Sequence, residues 1–135
     1  MGFDVFGAGR HVRVSNLDGG EPRYDILAMP SEFGLSCPQL AKLHQRFYHT
    51  TLICFGNGDV DGLRDELIQL RDAYRAKREP ELIKEHGIHA RDPHVRRAIL
   101  EQVFQHDAIS RVIDQFRLLC DESIAAEVDV RCVGD

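Results

Sequence analysis

The sequence predicts an α+β fold, in which a small antiparallel sheet of N-terminal strands and one C-terminal strand is packed by three to four helices. Near both ends of the chain apolar residues alternate with polar ones, which is typical of half-buried strands. Between the ends they recur every three or four residues, which is typical of amphipathic helices. With 135 residues, 43% of them hydrophobic, the chain is long enough for one core, so we expect a single domain over residues 1–135.

Residues 1–30 are predicted to form the N-terminal strands. In three short stretches apolar residues alternate with polar ones. A turn is expected at residues 17–20, where glycine allows the positive φ of a tight hairpin. Pro30 closes this section because it cannot donate a hydrogen bond to a strand ladder. The alternating apolar residues of these strands are Phe3, Val5, Val12, Val14, Tyr24, Ile26 and Ala28.

The first helix is expected to begin at Ser36 and Pro38, a typical pair of N-cap and first-turn residues. Apolar residues at helical spacing predict that this helix extends to Cys54. The stretch 50–55 is apolar and rich in β-branched residues, however, so the end of this segment is also compatible with a strand. Both readings stay open at this point.

Further helices follow toward the C-terminus. One is predicted over residues 60–78, interrupted at Pro80 and followed by a short helix. Asp92, which precedes a proline, is the expected N-cap of the next helix, and Asp107 restarts or continues that helix. The inward side chains of the helix after Asp92 are expected to be Val95, Ile99 and Val103. A terminal strand that pairs near the first is predicted over Val128, Val130 and Cys132.

Charge and cysteine usage point to an intracellular, cytoplasmic protein with a protein partner. The net charge of −5 disfavours direct binding of nucleic acid, and no apolar run suits a membrane span. The four cysteines stand singly without a CxxC motif and are expected to be reduced. Residues 114–135 hold two basic and six acidic side chains, which indicates a surface for a partner with a basic face. The candidate partner-binding residues are Asp121, Glu122, Glu127 and Asp129.

The segment 57–66 has the spacing of a calcium loop. Asn57, Asp59 and Asp61 supply oxygen atoms at alternate positions before a glycine, as in EF-hand-type loops. An EF-hand loop has an acidic residue at its twelfth position, but the residue at that position here is Ile68. Glu66 is therefore the candidate that completes the ligand set. This shorter pattern resembles the compact calcium loops of the Excalibur type. The alternative is a turn whose acids cap a helix.

Three histidines, His86, His89 and His94, lie within nine residues, with His106 further on. Imidazole is a common zinc ligand, so this cluster predicts a metal-assisted hydrolase as one alternative. Its spacing matches neither a zinc finger nor a helical HExxH pair, and the other reading is a set of solvated or helix-terminal histidines. Zinc is therefore a weaker expectation than calcium, and no catalytic residue is assigned.

Arg71, Arg75 and Arg78 form a stripe along one predicted helix. Such a stripe is able to contact phosphate, but acidic residues are interspersed with it and no aromatic side chains are expected to stand ready to stack on bases. The sequence therefore favours a solvated helix face with ion pairs inside the helix.

The opening Met1-Gly2-Phe3-Asp4-Val5-Phe6-Gly7 resembles the MG-L-D-V-Y-G start of small bacterial and phage proteins of unassigned function. The segment 58–63 is similar to their glycine- and aspartate-rich segment, and residues 112–132 to their closing helix and strand. Their tryptophan-rich stretch is absent, because this chain has no Trp. The resemblance implies a compact α+β domain and no activity.

The leading functional hypothesis is a non-catalytic cytoplasmic protein-binding module. It would be an inhibitor or immunity-type protein, of the kind that a phage or mobile element encodes, that blocks a macromolecular partner. One alternative is a calcium-binding regulatory domain that uses the 57–66 loop, and the other is the metal-assisted hydrolase described above.

Overall fold

A computed structural model of the chain describes residues 2–15, 26–46 and 52–134. Within them a four-stranded sheet combines with five helices, which confirms the α+β prediction. The strands are β1 (Gly2–Gly7), β2 (Arg10–Ser15), β3 (Leu52–Phe55) and β4 (Val130–Gly134), in the order β2-β1-β4-β3. All pairs are antiparallel, and β4 lies beside β1 as predicted.

The helices are α1 (Met29–Glu32), α2 (Pro38–Arg46), α3 (Asn57–Glu85), α4 (Pro93–His106) and α5 (Ala108–Ala125). The predicted N-cap of α4, Asp92, is confirmed, and of the two alternatives left open at Asp107 the structure shows the restart, because Asp107 caps a separate helix. Asp92 accepts a hydrogen bond from the backbone N–H of His94 at 2.9 Å, and Asp107 accepts one from that of Ser110 at 3.0 Å. These bonds satisfy donors that have no partner within the helix.

Two element predictions are corrected near the N-terminus. Residues 26–28 form a turn that leads into α1 instead of a third strand, and Tyr24 and the turn at 17–20 lie outside the described residues. The helix that begins at Pro38 ends at Arg46, and residues 52–55 are a strand, so the strand alternative for this stretch was the right one. Alternating burial along β3 explains why: one of its faces packs on the core and the other does not.

Further along the chain, α3 continues through Pro80, which was expected to interrupt it. The exposed proline removes one backbone hydrogen bond, but burial of Tyr74 before it and Leu82 after it holds both sides of the helix in the fold. Val95, expected to face inward, is 48% exposed, because the packed part of α4 begins further along that helix. The terminal strand begins at Val130, so Val128 precedes it.

The main core fills the space between one face of the sheet and helices α2, α3 and α5. A second apolar cluster joins the end of α3 to α4 through Leu82, Ile88, Leu100 and Phe104. The N-terminus of α5 lies between the two clusters, where the hydroxyl of the buried Tyr74 donates a 2.7 Å hydrogen bond to Asp107. Among the described helices, none is both long enough and apolar enough to cross a membrane.

The arginine stripe of α3 is mostly used in packing against other helices. Arg75 contacts Glu101 of α4 at 2.9 Å and lies 5.0 Å from the ring centre of Phe104, and Arg71 lies 3.6 Å from Asp114 of α5. Arg78 pairs within the helix, as predicted. The expectation of a solvated face is corrected, because at most 29% of each of these three side chains is exposed.

Candidate functional site

The outer face of the sheet carries a row of exposed side chains. The strand registers place Phe6 of β1 between His11 of β2 and Arg131 of β4, and Arg131 beside Cys54 of β3. All four residues are exposed, whereas the alternate positions on these strands face the core. Leu52, at 57% the most exposed large apolar residue of the described chain, lies on the same outer face.

The rings of Phe6 and His11 are stacked, with their centres 4.7 Å apart and their planes 8° from parallel. A carboxylate fixes this stack. Asp4 contacts Nε2 of His11 at 2.7 Å and accepts a hydrogen bond from Nη1 of Arg13 at 3.0 Å. These cross-strand contacts hold an aromatic platform in one orientation at the surface, so little side-chain entropy is lost when another molecule packs on it.

A cleft of about 800 Å³ opens at the end of this face. The turn between β1 and β2 forms one wall, and residues 127–129, between α5 and β4, form the other. Phe6 and His11 line it together with Arg10 and Arg131, so the aromatic stack extends into the cleft. The cleft and the outer face of the sheet form one continuous surface, which we call the sheet-face site.

Both walls of the cleft contain a strained residue. Ala8 has φ of 47° and Glu127 has φ of 56°, and they are the two non-glycine residues with positive φ among those described. Glu127 ends α5 in a Schellman motif, since its N–H donates to Ile124 and that of Val128 donates to Ser123. Glycine is the usual residue at such positions, and a side chain there costs about 1–2 kcal/mol.

The side chains of the sheet-face site suit recognition of another protein. Glu127 and Asp129 supply exposed carboxylates, Arg131 supplies an exposed guanidinium, and the Phe6–His11 stack supplies a flat, partly apolar surface. Aromatic rings and arginines are enriched where protein interfaces are most tightly packed, and charges at the rim select the partner by complementarity.

The four predicted partner-binding residues separate into two pairs. Glu127 and Asp129 line the cleft and are exposed. Asp121 instead accepts a 3.0 Å hydrogen bond from Arg117 and lies 3.8 Å from Arg64 of α3. Glu122 pairs with Arg10. Asp121 and Glu122 therefore bind neighbouring elements of this chain, and Glu127 and Asp129 face outward.

The expected calcium loop is corrected to helix, because residues 57–66 form the first turns of α3. Asn57, Asp59 and Asp61 are exposed; Asn57 and Asp61 lie four residues apart on one side of the helix, but Asp59 is turned by about 200° from each of them, so the three side chains do not converge. No group of three or more histidine, cysteine or acidic side chains able to hold a metal ion occurs in the described part of the chain. Calcium binding stays a prediction from the sequence.

Glu66 has a different role in the structure. Its buried carboxylate accepts hydrogen bonds from the backbone N–H groups of Gln39 and Leu40, both at 3.0 Å. It therefore caps α2 from another helix. Burial raises the pKa of Glu66 above its ordinary value, an effect that these two hydrogen bonds partly oppose.

The histidines are brought together only in part. His86 ends α3 and lines a second cleft of about 670 Å³ with His106, whereas His89 and His94 are exposed on the connection to α4 and on its first turn. The zinc site and the hydrolase it would serve stay predictions.

Three of the four cysteines are buried and Cys54 is exposed; burial raises the pKa of Cys120 to about 12.

Sequence reasoning missed Phe6, His11 and Arg131 as surface residues. The signal was the strand alternation itself, because Phe6 occupies an outward position of a strand whose inward residues are Phe3 and Val5.

Comparison with known proteins adds no relative: no family model, no curated protein and no solved structure matches this chain.

Proposed function

We propose that this chain is a non-catalytic protein-binding module and that the sheet-face site engages its partner. The observation that carries the proposal is the position of Ala8 and Glu127 on the two walls of one exposed cleft. Strained backbone of this kind persists where the surrounding structure maintains it, and such residues concentrate at functional sites. The strain at Glu127 holds a carboxylate at the mouth of the cleft, where glycine would relieve the strain but remove the charge.

The chemistry of the site defines the partner. An apolar or aromatic patch of the partner protein packs on Phe6 and Leu52, and basic side chains beside this patch meet Glu127 and Asp129. Apolar packing supplies most of the affinity in such an interface, whereas the exposed charges set orientation and association rate. The proposed partner therefore combines an apolar centre with a basic rim.

Within this proposal, binding is itself the activity. The module occupies a surface that its macromolecular partner needs, as an inhibitor or immunity-type protein does, and it acts in the cytoplasm. The support is the character of the site: a preformed surface of stacked rings and paired strands changes little in shape on binding, which suits tight occlusion.

Quantitative co-purification from the native host with matched variants tests the proposal. Phe6→Ala removes the exposed ring at the centre of the site, and Leu118→Ala removes a side chain of nearly equal exposure, 40% against 39%, from α5. The double variant Glu127→Lys with Asp129→Lys reverses the cleft charges, and Asp72→Lys is its control on α3. Circular dichroism verifies that each variant is folded.

We expect the same set of proteins to be depleted at least about fivefold with Phe6→Ala and with the double variant, and retained with both controls. Retention of every captured protein by the sheet-face variants contradicts the proposal. Equal depletion by Leu118→Ala also contradicts it, because the loss would then not depend on this face.

A further inference from the structure

The start of α3 contains an asparagine followed by a glycine. Asn57 and Gly58 are the first two residues of this helix, and the other asparagine of the chain, Asn16, precedes a leucine. The side-chain amide of an asparagine is open to attack by the backbone nitrogen of the next residue. Glycine favours this attack, because it has no side chain to hinder the approach and its backbone rotates easily.

Both reacting groups are unshielded in the structure. Asn57 and Gly58 are exposed, and the side-chain amide of Asn57 makes no hydrogen bond or ion pair within the residues that the structure describes. The hydrogen bonds at this end of α3 begin with the N–H groups of Asp59 and Val60, which both donate to the carbonyl of Gly56 at 2.9 Å. The N–H of Gly58 precedes them and has no acceptor within the helix. A Cβ built at Gly58 has nothing within 4 Å.

The first turn of α3 is held less firmly than the starts of α4 and α5. Its N-cap is Gly56, which has no side chain to accept a hydrogen bond, whereas Asp92 and Asp107 cap the other two helices. Helical geometry keeps the nitrogen of Gly58 away from the side-chain carbonyl carbon of Asn57, so the attack requires ψ of Asn57 to leave the helical range. Opening of one uncapped turn is a local event that requires much less free energy than global unfolding.

We propose that Asn57 is a site of spontaneous deamidation. The backbone nitrogen of Gly58 attacks Cγ of Asn57, and a bond forms between them. The Cγ–NH₂ bond breaks, the amide leaves as ammonia with the proton from Gly58, and a five-membered succinimide remains. Water then opens this ring at either carbonyl carbon. Water is the only co-reactant, and no atom is oxidised or reduced.

The two directions of ring opening give different products. Cleavage at Cγ gives aspartate, whose negative charge is favoured at the first turn by the helix dipole. Cleavage at the backbone carbonyl carbon gives isoaspartate, which adds one methylene to the main chain between Phe55 and Val60. These two side chains are 1% and 0% exposed, so the core fixes them and residues 56–59 have to absorb the extra atom. The proposal is independent of the function proposed for the sheet-face site.

Mass spectrometry of the full chain measures the reaction. The folded protein and a synthetic peptide of residues 52–62 are incubated separately in the same mildly alkaline buffer. Tryptic digestion then isolates the segment with Asn57, and its gain in mass from amide to carboxylate is followed with time. A carboxyl methyltransferase specific for isoaspartate, with labelled S-adenosylmethionine, measures the second product. Circular dichroism verifies that each variant is folded.

We expect Asn57 in the folded chain to deamidate at most about a hundredfold more slowly than in the peptide, because the first hydrogen bonds of α3 have to open. Gly58→Ala is the matched variant, since this position has open space and no positive φ. It is expected to slow the reaction at least about tenfold, because the methyl group hinders the attack and alanine favours the helix. Asn16 is the internal control and should stay an amide over the same period.

A globally destabilised variant separates local opening from unfolding. Tyr74→Phe removes the hydrogen bond to Asp107, far along α3 from Asn57, and is expected to leave the rate within about twofold.

Three outcomes overturn the proposal. The first is a rate more than about a hundredfold below that of the peptide. The second is equally fast reaction in Gly58→Ala or at Asn16, which would remove the role of the glycine. The third is acceleration in Tyr74→Phe that matches its loss of global stability, which would assign the reaction to the unfolded chain.

Discussion

Replacing Glu66 with glutamine removes a buried carboxylate without changing its shape. In the wild-type protein the two carboxylate oxygens accept hydrogen bonds from the N–H groups of Gln39 and Leu40, both 3.0 Å long. Glutamine keeps one acceptor and places an amide NH₂ where the other oxygen was, so one N–H at the start of α2 faces a donor. A buried donor without a partner costs about 1–3 kcal/mol, and we expect the free energy of unfolding to fall by about 2 kcal/mol.

Urea unfolding followed by circular dichroism measures this loss, and thermal unfolding should show a decrease of about 6–8 °C in Tm. Asp65→Asn is the matched control, because Asp65 is the adjacent residue and 62% of its side chain is exposed. Its effect is expected to stay within about 0.5 kcal/mol. A Glu66→Gln variant that is as stable as Asp65→Asn contradicts the capping role.

The pH dependence gives a second readout of the same residue. Burial raises the pKa of Glu66 above its ordinary value of 4.5, so the folded protein holds the proton more tightly than the unfolded chain does. The stability of the wild type relative to Glu66→Gln is then greatest below pH 4.5 and declines as the pH rises through the folded pKa. A difference that grows with increasing pH contradicts this reasoning.

Three shorter predictions follow from other residues. Glu127→Gly should raise the free energy of unfolding by about 1 kcal/mol in urea titrations, because glycine adopts the positive φ without strain, and it should weaken partner capture. A destabilised variant would contradict the claim that the backbone is strained at this position. Tyr74→Phe should cost about 1–2 kcal/mol, because it removes the hydrogen bond to Asp107, and an unchanged urea midpoint counts against that bond. With a thiol reagent at neutral pH, Cys54 should react fast and the buried Cys120 only on unfolding; four fast equivalents would contradict the burial described.

Local rules of the sequence predicted most of the fold. Asp92 caps a helix as expected, and Asp107 restarts the helix, which was one of its two expected alternatives. The alternation around Phe3 and Val5 predicted a strand that pairs with the terminal one. Short-range signals did not predict the continuity of α3 through Pro80, because that continuity depends on burial of distant side chains such as Leu82. The prediction of a third N-terminal strand was wrong because the alternation of apolar residues does not show how a segment reaches the core. Ile26 reaches it from a turn.

The candidate site was harder to predict than the fold. Local composition indicated acidic residues as candidates for partner binding. It does not show which of these carboxylates already have a partner within the chain. Glu122, for example, pairs with Arg10, which lies near the other end of the sequence. The oxygen spacing at 57–66 predicted a loop, because periodicity does not separate a calcium loop from a helix start rich in aspartate. The row from His11 across Phe6 to Arg131 exists only through strand register.

Site-specific photo-crosslinking tests the central proposal most directly. Benzoylphenylalanine replaces Phe6 of β1 in one variant and Leu118 of α5 in the other, two positions of nearly equal exposure. After irradiation in cells of the native host, we predict a covalent adduct with a specific protein at position 6 and none at position 118. An adduct of equal strength at position 118, or none at position 6 while the protein still co-purifies its partner, would contradict the assignment of the sheet-face site.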